Sequence, residues 1–293
     1  MRAPRLVWRP APGWPESPPG WLPPPGWTPP PDWPAAPPDW QFWVPEQRAV
    51  VAPVQYQEPT RRGLVIETWC VMLAMLVPWV ISAVVVLGSH LATGTTLSPL
   101  PTFDRHQPAV NIVLGLLSYL PTVAVVPLAL LLLARTGQRP ADLGLTRAGW
   151  RDVGAAAGLA AAALGCEFVL AVALAPLEHS KLVNNIGPLH VPVYYLVFGL
   201  SQALLTSVAE ETAVNGYLLT RLDQLGWSPA RALWFSLALR TSYHAYYGLA
   251  LVFTLPFGYL ATRSFQLHRK LNRPILMHFL YDSTVFLIAV LLH

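Results

Sequence analysis

Six ionisable side chains sit where a chain this apolar has little room for charge: Glu210 and Glu211, Arg240 and His244, His278 and Asp282. A glutamate can take a proton from water, and histidines can share that work or hold a developing oxyanion, so the set has the parts for hydrolysis. Arg240 and His244 are four residues apart, as are His278 and Asp282, which puts each pair on one helix face. Glu210 and Glu211 stand about 100° apart around a helix, so one can face a cavity while the other turns to a neighbouring helix. Glu211 shares its face with Asn215. Glu210, His244 and His278 are also ligand types for zinc with one position left open. The contiguous His-Glu-x-x-His signature is absent, so a metal site would be assembled from separate helices. Spacing alone leaves metal and metal-free chemistry open.

The elements that carry these residues are apolar helices. The chain has 293 residues, of which 54% are hydrophobic and 12% charged, about half the ~25% charged fraction of a soluble domain. Apolar runs of roughly 20 residues, the length that crosses ~30 Å of hydrocarbon, lie near 65–90, 109–134, 153–176, 191–219, 230–248, 249–262 and 275–292. The predicted fold is all-α, a polytopic transmembrane bundle of about seven to eight spans. A charge at the bilayer centre costs ~3 kcal/mol on insertion scales, so the six residues and Glu167 each need a partner, a wet cavity or neutralisation.

Loop charges predict the orientation. Arg135, Arg139, Arg147 and Arg151 follow the second run, Arg221 and Arg231 the fourth, and Arg263, Arg269, Lys270 and Arg273 the sixth, while the alternate loops hold only Arg105 and Lys181. Basic residues favour the cytoplasmic side, which predicts a multi-pass protein of the plasma membrane with its N-terminus inside. The formal charge of +4 is thereby explained by topology, and no compact basic patch points to nucleic acid. Cys70 and Cys166 both fall in apolar runs, where a small buried hydrophobe is expected and a disulfide framework is not. Gly154 and Gly158 form a small-xxx-small pair, read as close packing of two helices within the bundle in preference to dimerisation.

Residues 1–62 are a different material. The first 60 hold 18 of the 31 prolines and 7 of the 12 tryptophans, in a drifting repeat PPGWLP, PPGWTP, PPDWP, PPDWQ. Proline removes backbone donors and fixes φ, which predicts a disordered cytoplasmic tail with no signal peptide, ahead of a helical domain at 63–293. Such a tail has two candidate roles, docking to an aromatic-groove partner or settling at the membrane interface.

The segments AEETAVNGYLLTRL, RTSYHAYYG and HFLYD together resemble the CPBP family of intramembrane proteases, which includes the CAAX prenyl endopeptidases and bacteriocin-processing proteins; the resemblance covers roughly 191–292. The family carries Glu-Glu-x-x-x-Arg, Phe-x-x-x-His and His-x-x-x-Asn/Asp motifs in that order, and Glu210, Glu211, His244, His278 and Asp282 fall on those positions. Two positions depart: Asn215 stands for the arginine and Arg240 for the phenylalanine. The departures suggest a guanidinium moved between facing helices, with Arg240 pairing with Glu211.

The resemblance implies an intramembrane endopeptidase acting on a membrane-associated peptide or protein. Glu210 would activate water with help from His244, His278 and Asp282 would bind the scissile carbonyl or its oxyanion, and Glu211 would be the structural acid. The expected site is metal-free, with Glu210, His244 and His278 as the donors if zinc is used. The alternatives are a catalytically silent scaffold or immunity-type binder of the same family, and a transporter using Glu167, Glu210 and Glu211 as a proton relay, which the lack of a convincing internal repeat disfavours.

Overall fold

The computed structural model describes residues 6–18, 21–45, 60–94, 107–177 and 196–291. The start of the fourth predicted span and the loop residues Arg105 and Lys181 lie outside them. The chain divides into two compact units, Met1–Gln55 and Tyr56–His293.

Within the first unit the described residues form two strands joined by turns. Strands β1 (Leu6–Trp8) and β2 (Trp43–Pro45) pair antiparallel, with Val7 opposite Val44. Between them four Pro-Gly/Asp-Trp repeats are turns: the amides of Trp14, Trp27, Trp33 and Trp40 donate to the carbonyls of Ala11, Pro24, Pro30 and Pro37. Proline presets the second position, and Gly13 and Gly26 at the third have φ of 86° and 82°, the type II geometry that glycine adopts without strain. The rings then gather: Trp8 stacks on Phe42 at 5.0 Å and meets Trp21 and Trp27 edge-on at 6.0 and 5.9 Å. A spacing of six or seven residues, read as low complexity, is the period of a turn that returns Trp14, Trp21, Trp27 and Trp33 to one cluster.

The second unit is helical. Helix α1 spans Arg61–Thr93, α2 Pro108–Leu117, α3 Leu120–Ala134, α4 Trp150–Leu174, α5 Leu196–Glu210, α6 Leu219–Gln224, α7 Pro229–Ser242, α8 Thr254–His268 and α9 Asn272–Leu291. Among the described residues three stretches are long and apolar enough to cross a membrane: Arg61–Thr93, Pro108–Ala134 and Trp150–Leu174. Thr60 caps α1 by accepting from the Gly63 amide at 3.1 Å, and Gly94 ends it in the left-handed region. A π-helical segment, Glu211–Leu218, joins α5 to α6.

Helices α7 and α8 have 14 and 15 residues, about 21–22 Å at 1.5 Å per residue, short of a hydrocarbon core. The fifth predicted span, 230–248, therefore ends early, at Ser242. Two 3₁₀ turns follow, Ala245–Tyr247 and Leu249–Phe253, separated by Gly248 at φ 63°, ψ −134°, a conformation closed to most side chains. That break sits beside His244.

The π segment is the hub of the core. All eight of its residues are buried, and Tyr217 and Leu218 share a cluster with Val71, Met72 and Met75 of α1 and Val125, Ala129 and Leu133 of α3. On the other side Ala156, Ala160 and Ala163 of α4 pack with Phe257 and Ala261 of α8 and Met277 of α9. The start of α9 is tied down: Leu271 N donates to Leu143 O at 3.0 Å, and Asp152 at the head of α4 accepts from Lys270 at 3.0 Å and Arg273 at 2.8 Å.

Three expectations are corrected here. Arg221, counted among the loop charges, is wholly buried, donating to Leu132 O and Thr136 Oγ1 at 2.7 Å and lying 3.5 Å from Glu67; it fastens α6 to α1 and α3. Gly154 and Gly158 face open space, with nothing within 4 Å of a Cβ at either, so they mediate no close approach within the bundle. Cys70 and Cys166 are exposed, because their turns of α1 and α4 point away from the core.

Candidate active site

Glu211 opens the π segment. The extra residue per turn there re-aims side chains that a regular α-helix would spread round its axis, and the fully buried Glu211 carboxylate is met from three other directions. Arg240 of α7 donates from Nη2 to both Oε1 and Oε2 at 2.8 Å. His278 Nδ1 of α9 lies 2.9 Å from Oε1. Asn215, one turn on, donates from Nδ2 to Oε2, and its own carbonyl accepts from Thr262 Oγ1 of α8 at 3.1 Å. A lone buried carboxylate is costly, and a fully hydrogen-bonded one compensated by a guanidinium is not.

The two motif departures are therefore linked. Arg240 is 3% exposed and occupies the direction from which a guanidinium can reach Glu211; Asn215 fills the shorter gap on the same helix. Room for Arg240 comes from Gly258 of α8, where a Cβ would lie 3.3 Å from Arg240 Cδ and 2.9 Å from Leu237 Cδ2. Phe257 of α8 supplies an aromatic wall, its ring centroid 5.7 Å from the Arg240 guanidinium carbon and 4.7 Å from the His278 ring.

Glu210 is the more accessible of the pair, with its side chain 17% exposed. Its Oε2 accepts from the Tyr243 hydroxyl at 2.6 Å and lies 3.7 Å from Arg240 Nη1. His244 follows Tyr243 just beyond the end of α7, with ring centroids 4.6 Å apart. Its Nδ1 is 3.0 Å from the Arg240 carbonyl. A carbonyl only accepts, so Nδ1 carries the hydrogen, and in the neutral ring Nε2 is a lone pair.

The six residues thus form two tiers. Glu211, Arg240 and His278 meet at one depth, although His278 is only the seventh residue of α9 and Arg240 is near the end of α7. The register of α9 is fixed at its start by the bonds of Leu271 N to Leu143 O and of Arg273 to Asp152. Glu210, Tyr243 and His244 form the second tier. Asp282 extends the first, its Oδ2 lying 3.4 Å from both His278 Nε2 and Thr206 Oγ1. Glu167 is elsewhere, hydrogen-bonded by Tyr281 across α4 and α9.

Sequence reasoning missed Tyr243, Thr262, Thr206 and Phe257. Tyr243 had a signal, adjacency to His244; the others are ordinary residues given meaning by packing.

The three zinc donor candidates do not converge. Both nitrogens of His278 face carboxylates, whereas His244 keeps its Nε2 lone pair, and among the described residues no three such side chains are grouped as metal ligands.

Residues 192–284 match the family model of type II CAAX prenyl endopeptidases, Rce1-like, consistent with a CPBP family intramembrane protease. No curated protein and no solved structure matches the chain.

Proposed function

We propose that this chain is an intramembrane endopeptidase of the CPBP type, with Glu210 as general base and His244 as its partner. The observation that carries the reading is the division of labour between adjacent carboxylates: Glu211 is saturated by Arg240, His278 and Asn215, while Glu210 stays partly accessible and is held by Tyr243, whose ring lies against His244.

In this mechanism a water lies between Glu210 and His244 Nε2. Glu210 takes its proton as the oxygen attacks the scissile carbonyl, then returns the proton to the leaving amine. Water is consumed, the C–N bond breaks, and a carboxylate and an amine form. His278 and Asp282, assigned to the carbonyl by resemblance, are here occupied with each other and with Glu211, so their role is to order the buried tier. A multi-pass topology with a cytoplasmic N-terminus in the plasma membrane is supported by the three long apolar stretches and by the basic loop residues; the substrate would be a membrane-associated peptide or protein.

A second reading, a silent scaffold or immunity-type binder, is favoured by the same clamping of His278. The test is cleavage of a panel of membrane peptides by purified protein, with Glu210→Gln and His244→Ala alongside, with and without chelator. Cleavage lost in both variants and indifferent to chelator supports the glutamate mechanism. A folded wild type that cuts nothing across the panel supports the scaffold.

A further inference from the structure

We infer that Tyr243 is a positioning residue that fixes the Glu210 carboxylate, pinning Oε2 so that Oε1 faces the water; this deepens, and rests on, the reading of Glu210 as base. The terminal torsion of a glutamate is broad and only weakly selective, so a base on a helix needs something to hold its plane. Both described contacts of the carboxylate fall on one atom: the Tyr243 hydroxyl at 2.6 Å and the Arg240 guanidinium at 3.7 Å from Oε2. The first is in the range of a charge-assisted O–H···O bond; the second is too long for a hydrogen bond.

Tyr243 is itself rigidly placed. It is buried, packs in the core cluster that includes Tyr217 and Leu219, and its backbone amide bonds to Thr241 O at the end of α7. Its ring lies against His244, so one residue ties the orientation of the base to that of its histidine partner. No motif residue does this work: Asn215 and His278 serve Glu211, and Asp282 serves His278.

The experiment uses purified full-length protein as wild type, Tyr243→Phe, and with 3-fluorotyrosine at 243, which keeps the hydroxyl. Steady-state cleavage of a peptide substrate is measured with the infrared carboxylate band assigned to Glu210 by its loss in Glu210→Gln. Expected are a kcat lower by about ten- to a hundredfold with KM within about twofold for Tyr243→Phe, the loss of one hydrogen bond to a charged group. The Glu210 band should shift and fluorotyrosine should restore kcat. An unmoved band overturns the inference, as does retained kcat or a rise in KM alone. If wild type shows no turnover, the reading of Glu210 as base fails, and the band alone then decides whether Tyr243 holds it.

Discussion

Replacing Arg240 by alanine strips the buried Glu211 carboxylate of its guanidinium partner. The lost contacts are two donations at 2.8 Å from one guanidinium nitrogen to a carboxylate that is 0% exposed. Asn215 and His278 remain as hydrogen-bond partners, but neither replaces a fixed charge. Breaking a buried pair from one side costs about 3–5 kcal/mol, and on the scale of 2–4 °C per kcal/mol for 150–250 residues the melting temperature drops by about 6–20 °C. Glu211→Gln removes the stranded charge, so Arg240→Ala/Glu211→Gln should recover much of the loss, with a coupling energy of about 1–3 kcal/mol. The assay is thermal unfolding of the four proteins of this cycle in one detergent or nanodisc. Additive single effects would refute the reasoning, because they would mean that the pair is solvated or unmade. An independent arm moves the guanidinium back: Asn215→Arg/Arg240→Phe should be more stable than Arg240→Phe alone.

Gly144→Ala should be severely destabilising, by more than the ~1 kcal/mol of an ordinary glycine replacement, since φ is 73° and a Cβ would lie 2.3 Å from the Arg269 carbonyl oxygen; unfolding measures it. Asp152→Asn should lower the melting temperature by unclasping Lys270 and Arg273 from α4, with the loss reduced in high salt because Lys270 is half exposed. Gly158→Ile should leave the melting temperature of the monomer nearly unchanged, since nothing lies within 4 Å of its Cβ; a large drop would restore the intramolecular packing role expected from the sequence.

Much of the helical frame was legible because hydrophobic runs are a local property. Each helix of the second unit falls within or beside a predicted run, but the second run is two helices, the fourth is interrupted by the π segment, the fifth ends early, at Ser242, and the helix of the sixth starts late, at Thr254. The pairing of Arg240 with Glu211 was also legible, because a buried carboxylate needs a cation and the motif arginine was absent from its usual position. The fate of His278 was not: its i,i+4 spacing to Asp282 implied a shared face, but that Nδ1 would also be spent on Glu211 depends on where α9 starts against Leu143 and Asp152.

By itself the sequence determined which residues carry charge into apolar helices, and so which must find partners. It also set the turn chemistry of the Pro/Trp repeat, although the clustering of its rings became visible only in three dimensions. The tertiary structure alone decided which glutamate is saturated and which is accessible, since adjacent residues in one helix differ only in what faces them. It also turned Arg221 from a loop charge into a buried fastener and brought Tyr243 to Glu210. The reason is the same in each case: desolvation and hydrogen-bond partners are set by neighbours distant in the chain, and local sequence does not encode which neighbours those will be.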